Sequence, residues 1–129
     1  MKLYLDADVF LALLKEDDRH KKAATLFFEK YADAEKITST MCCLEIWFYL
    51  YKNGHQKKVI DALRSISAMC TVQDFNAKQM GQAVFLGTEN RLSPADALHA
   101  VLASEADAIV SSDASFDRIA SLKKIDFTK

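Results

Sequence analysis

A chain of 129 residues, half of them hydrophobic, is the size of one ordinary domain and can bury a core without disulfides or structural metals. Its 18 acids and 17 bases leave a formal charge of -1, which excludes a general positive field as the means of holding nucleic acid and leaves only local patches for that task. Three cysteines, Cys42 and Cys43 adjacent, make a poor disulfide framework, and no cysteine or histidine cluster has zinc-ligand spacing.

Near the N-terminus, Lys2 precedes a short apolar run that Asp6 interrupts too early for a secretory leader or a membrane span. A single domain over 1–129, cytoplasmic and without a membrane partner, is therefore expected. Residues 3–5 read as a buried strand, followed by helical spacing over 9–14 and 21–31. A strand at 37–39 leads into helices over 41–52 and 57–66, and a strand at 70–72 into a helix over 77–89. A helix over 94–105, a strand at 108–111 and a last short strand at 125–127 complete the chain. Strands alternating with helices predict an α/β fold with a parallel sheet, because parallel neighbours need a crossover and a helix usually supplies it. Such sheets bind ligands at the carboxyl ends of their strands. Three glycines and one proline leave no linker and no glycine-rich phosphate loop.

Acids stand at four places where they are unexpected. Asp6 closes the first strand, at the sheet edge where a site belongs, while Asp8 suits the cap of the following helix better. Glu45 is the only charged residue from Ile37 to Tyr51, on a helix apolar almost all round, so it needs a partner. A lysine or arginine from elsewhere in the chain is one candidate for it. Asp96 occupies the third position of a helix that Ser93 caps and Pro94 opens, and capping and the helix dipole account for it by themselves. His99, one turn further, reads as a satisfied, partly buried histidine and not as a ligand. In AIVSSDASFD, Asp113 follows a strand and Asp117 comes four residues later; a helical turn between them would aim both carboxylates at one spot. Two carboxylates about 4 Å apart repel by about 4 kcal/mol at an effective dielectric near 20, so gathering four of them requires a counter-ion. Hard divalent cations such as Mg²⁺ or Mn²⁺ fill that role and suit phosphodiester hydrolysis.

The order and context of these acids resemble the PIN-domain ribonucleases, in particular the VapC-like toxins of toxin-antitoxin pairs, over nearly the whole chain. The matching features are Asp6 after the first strand, Glu45 inside the helix after the second, Asp96 in an aDAxxxA-type helix start and Asp113 after IVSSD. The resemblance implies a three-layer α/β/α sandwich around a short parallel sheet. It also implies an acidic pocket in which Asp6, Glu45, Asp96 and Asp113 hold Mg²⁺ or Mn²⁺. Asp117 matches an additional acid often found just beyond, and Ser111 matches the serine or threonine two positions before the fourth acid. Asp8 departs from the family's DTN pattern, which has Asn there, and is open to a ligand, a supporting or a capping role.

The implied activity is a metal-dependent endoribonuclease that leaves 5'-phosphate and 3'-hydroxyl ends, with an antitoxin whose own segment can block the pocket. Arg19, Lys21, Lys22 and Arg118 are candidates for phosphate contacts on the RNA. The aromatic helix 46–51 is a candidate homodimer seam or antitoxin groove, with plain core packing as the alternative. Two other readings compete. YLDADV also fits the haloacid-dehalogenase-like phosphatases, with Asp6 as nucleophile, although that mechanism leaves Glu45 and Asp96 unexplained; a phosphoacceptor receiver domain would need Asp74 as its phosphorylated acid. The non-enzymatic alternative is an inactive PIN-like module that binds RNA or a partner without cutting.

Overall fold

In the computed structural model, which describes residues 1–129, strand β1 (Lys2–Leu5) lies at the centre of a five-stranded sheet. Its continuous apolar run is explained by burial on both faces: Leu3 and Leu5 point into one core, Tyr4 into the other, and all three are wholly inaccessible. The remaining elements, in chain order, are α1 (Ala7–Leu14), α2 (Lys21–Lys30), β2 (Glu35–Ser39), α3 (Thr40–Lys52), α4 (Val59–Met69), β3 (Thr71–Gln73), α5 (Ala77–Asn90), α6 (Pro94–Ala103), β4 (Ala108–Val110) and β5 (Lys124–Ile125). Short 3-10 helices occupy Gln56–Lys58 and Ala114–Arg118.

The strand order is β3-β2-β1-β4-β5, and every adjacent pair is parallel, with Tyr4 opposite Ile37 on one side and Ile109 on the other. Side chains of α1 to α4 build the core beneath Leu3 and Leu5, and those of α5 and α6 the core beneath Tyr4. This is the expected α/β/α sandwich. At the α5–α6 contact, Gly87 allows the close approach: a Cβ there would lie 3.0 Å from the Cβ of Ala97. No helix is long and apolar enough to cross a membrane.

Most element ends shift by one or two residues from expectation, and three of the differences have a clear local reason. Helix α1 starts at Ala7, because Asp6 itself is the cap and accepts from the Ala7 N–H at 2.7 Å; Asp8 lies within the first turn and is not the cap. The segment expected to begin a helix at 57 forms a 3-10 turn over Gln56–Lys58, and α4 proper runs on to Met69, where its apolar face still packs on the core. The last strand pairs at Lys124–Ile125, so Phe127 is buried beyond the ladder.

Candidate active site

The carboxyl ends of β1, β2 and β4 come together at one edge of the sheet, and each ends in a polar residue: Asp6, Ser39 and Ser111 are all buried. Asp6 is held from two directions, by the Ala7 N–H on Oδ1 and by the Ser111 hydroxyl, which donates to Oδ2 at 2.7 Å. Its Oδ1 lies 3.6 Å from Nε2 of His99, and the same nitrogen contacts Oε1 of Glu45. Glu45 therefore finds its partner in a histidine on α6 and not in a lysine or arginine.

Asp96 and Asp113 meet through Ser115, whose hydroxyl lies 3.1 Å from Asp96 Oδ2 and 2.8 Å from Asp113 Oδ1. The Asp113 N–H donates to Ser111 Oγ at 3.0 Å, so one serine connects Asp6 to the loop carrying Asp113. Local sequence places each of these acids. Ser93 caps α6 by accepting from the Asp96 N–H, Pro94 opens that helix, and Asp113 caps the 3-10 helix by accepting from the Ser115 N–H. Asp8 accepts from the Ser112 N–H at 2.8 Å and the Ser112 hydroxyl at 2.6 Å, while its Oδ1 is buried without a partner.

Burial dominates the electrostatics. It pushes the Asp6 carboxyl up to about 7 against the pull of His99, with repulsion from Asp8 adding to the rise. Burial likewise raises Asp8, partly offset by the Ser112 and Ser111 hydrogen bonds. For His99, burial acts downward but is outweighed by the Glu45 hydrogen bond and the charges of Asp6, Glu45 and Asp96, so the imidazole holds its proton above the usual histidine range. None of Asp6, Glu45, Asp96 and Asp113 pairs its carboxylate with a lysine or arginine. A cluster in which acids outnumber the single histidine and no lysine or arginine intervenes has the composition that suits a divalent cation. Asp6, Glu45 and His99 each offer a ligand atom, all within 4.8 Å of one another.

Some expected site residues lie elsewhere. Asp117 pairs with Lys124 at 3.0 Å, because the turn after Asp113 is a 3-10 helix, in which residues four apart do not share a face. The Arg118 guanidinium donates to the Arg91 carbonyl at 2.9 Å, Arg19 bonds His20, and Lys21 and Lys22 lie exposed in the first turn of α2. Reasoning from sequence missed His99. It is wholly buried at the centre of the contacts, and the available signal was its spacing of three from Asp96 on one helix. Ser115, linking two acids, was missed as well.

Carboxylates collected at the carboxyl edge of a wholly parallel sheet between helical layers define an α/β protein with an acid-lined site. The chain belongs to the PIN domain family, whose family model matches residues 3–122. No curated protein sequence matches it. Among solved structures, VapBC2 from Rickettsia felis, bound to a DNA fragment from its promoter, superposes with a TM-score of 0.78 at 20% identity, covering 97% of this chain and 98% of that one. The sarcin-ricin loop cleaving toxin VapC20 from Mycobacterium tuberculosis gives 0.75 at 18% identity over 92% and 95% of the two chains. A toxin-antitoxin complex from Klebsiella pneumoniae gives 0.73 at 13% identity over 97% of each. The family match sets aside the phosphatase and receiver readings.

Proposed function

We propose that this chain is a divalent-metal-dependent endoribonuclease, acting in the cytoplasm as the toxin of a toxin-antitoxin pair. The observation that carries the reading is the linkage of four carboxylates from four separate segments through His99, Ser111 and Ser115, with no lysine or arginine paired to any of them and one histidine as the only basic group among them. In this reading Asp6, Glu45, Asp96 and Asp113 hold Mg²⁺ or Mn²⁺. Ser111 and Asp8 support Asp6 and the Asp113 loop, and Asp117 remains with Lys124 outside the ligand set. Once bound, the ion supplies Lewis-acid polarisation of the phosphodiester and a lowered pKa for the attacking water. The protein's part is positional: two hydrogen bonds hold Asp6 and Ser115 ties Asp96 to Asp113, so little reorganisation is needed before reaction. Arg19, Lys21, Lys22 and Arg118 are assigned to the RNA backbone, which makes cleavage fall with added salt.

Trp47, Phe48 and Tyr51 are exposed on α3, so they are not core residues, and with Leu44 and the Gly54–Lys58 turn they line a groove of about 980 Å³. We assign this groove to a segment of an antitoxin, a kind of partner that the toxin-antitoxin complex among the similar structures supports. Met80, Val84 and Phe85, exposed along α5, are offered to a second copy in a homodimer.

Purified protein with labelled RNA and Mn²⁺ tests the activity. Cleavage is expected, and it should be lost on adding EDTA or on Asp96→Asn. Cutting that survives both treatments contradicts the mechanism, and RNA binding without cutting would make the chain an inactive module.

A further inference from the structure

We propose that His99 is itself a ligand of the ion, its Nε2 joining Asp6 and Glu45 in a mixed nitrogen and oxygen shell that prefers Mn²⁺ to Mg²⁺. The inference rests on the metal-dependent reading above and adds a donor to it. Three features of the imidazole carry it.

The first is convergence. Nε2 and one oxygen from each of Asp6 and Glu45 lie within 4.8 Å of one another, and an ion entering between them would replace the direct contact of Nε2 with Glu45. Neither Asp96 nor Asp113 joins that tight group, so the nitrogen completes the most compact set of donors in the site.

The second is orientation. His99 is wholly buried, and its other nitrogen, Nδ1, lies 2.7 Å from the Tyr4 hydroxyl, which lies 2.7 Å from Ser39 Oγ. Both Tyr4 and Ser39 are wholly buried too. With the proton on Nδ1, the imidazole donates to Tyr4 and Tyr4 donates to Ser39. Burial keeps the phenol protonated by pushing its pKa far above the usual range. A histidine ligand is normally held by such a hydrogen bond from the ring nitrogen that does not face the metal. Here β1 and β2 supply the outer partners and α6 the ligand, so the ring plane is set by the fold.

The third is charge. With Nδ1 protonated, the lone pair of Nε2 faces two carboxylates, and three electron-rich atoms at that spacing need a positive charge among them. A proton on Nε2 serves without metal; a divalent ion serves all three atoms at once. Imidazole is a softer donor than carboxylate, so the shell shifts preference away from Mg²⁺, which demands oxygen, toward Mn²⁺ and the later transition ions.

Pulsed electron paramagnetic resonance on the full-length protein loaded with Mn²⁺ alone tests this independently of cleavage. Directly coordinated imidazole imprints ¹⁴N modulation on the Mn²⁺ echo. The signal is expected in the wild-type chain and in the His20→Gln/His55→Gln double variant, which leaves His99 as the only histidine. It should disappear in His99→Gln, with the preference for Mn²⁺ over Mg²⁺ narrowing by about tenfold. Tyr4→Phe should keep the modulation while weakening Mn²⁺ binding by about tenfold, the usual effect of losing an outer partner. Bound Mn²⁺ without nitrogen modulation, or modulation lost in the double variant, overturns the assignment of His99 and leaves the carboxylate site standing. Absence of any bound Mn²⁺ overturns both readings.

Discussion

Asp6→Asn is expected to lower Mn²⁺-dependent RNA cleavage by about 10³-fold or more, the loss of roughly 4 kcal/mol of transition-state stabilisation. The same variant should be as stable as the wild type in EDTA at pH 8, or more stable. The two effects have one cause. Asp6 is almost wholly buried, and its carboxylate sits near Asp8 and Glu45 with only His99 to offset the charge. Asparagine keeps the geometry: its Oδ1 can still accept from the Ala7 N–H, and its amide can donate to Ser111 Oγ. It removes the charge that is costly to bury and that a cation requires. Steady-state kinetics and thermal unfolding check the two halves separately. Activity within tenfold of wild type would remove Asp6 from the site, and a clear fall in Tm would mean that its charge stabilises the fold without metal.

The pH dependence of stability is the second large effect. The Asp6 carboxyl stands at about 7 in the folded chain against an ordinary 3.8, so between those values the folded state holds a proton that the unfolded state has released. His99 also holds its proton above its ordinary 6.5. A group raised on folding contributes stability that is present below its unfolded pKa and is lost as pH climbs through its folded one. Both groups act in the same direction, so the metal-free protein loses stability from about pH 4 to beyond pH 7. Binding a divalent ion displaces these protons, and the ion therefore competes poorly at low pH. The rise in Tm on adding Mn²⁺ is expected to be several-fold larger at pH 8 than at pH 5.5. A rise of equal size at both values would mean that the ion does not bind at Asp6.

Strand β1 was legible because Leu3 to Leu5 is apolar without alternation, which only burial on both faces explains. Helix α6 was legible because Ser93 and Pro94 mark its start chemically. The isolation of Glu45 revealed that it needed a partner. The identity of that partner was hidden, since His99 lies 54 residues away and is brought across only when α3 and α6 meet over the end of the sheet. His99 itself sits among Ala97, Leu98 and Ala100, where a histidine reads as core; its hydrogen bond to Tyr4 depends on Tyr4 turning toward the same side of the sheet. Asp113 and Asp117 required a choice between α and 3-10 geometry that ASFDR does not encode locally, and Lys124 then claimed Asp117 from a later strand. Helix signals favour Asp8 as the cap, but β1 ends at Leu5 and α1 begins at Ala7, so the one residue between them, Asp6, takes that role.

The claim on which the account stands is that Asp6, Glu45, Asp96 and Asp113 surround a shared divalent cation site. An anomalous difference map from crystals soaked in Mn²⁺ tests it most directly. The account predicts a peak bonded to Asp6, with Glu45 and at least one of Asp96 and Asp113 in the coordination shell of that ion or reaching it through one water. A map with no peak at this edge of the sheet, or with Glu45 and Asp96 turned away from the ion, would contradict it.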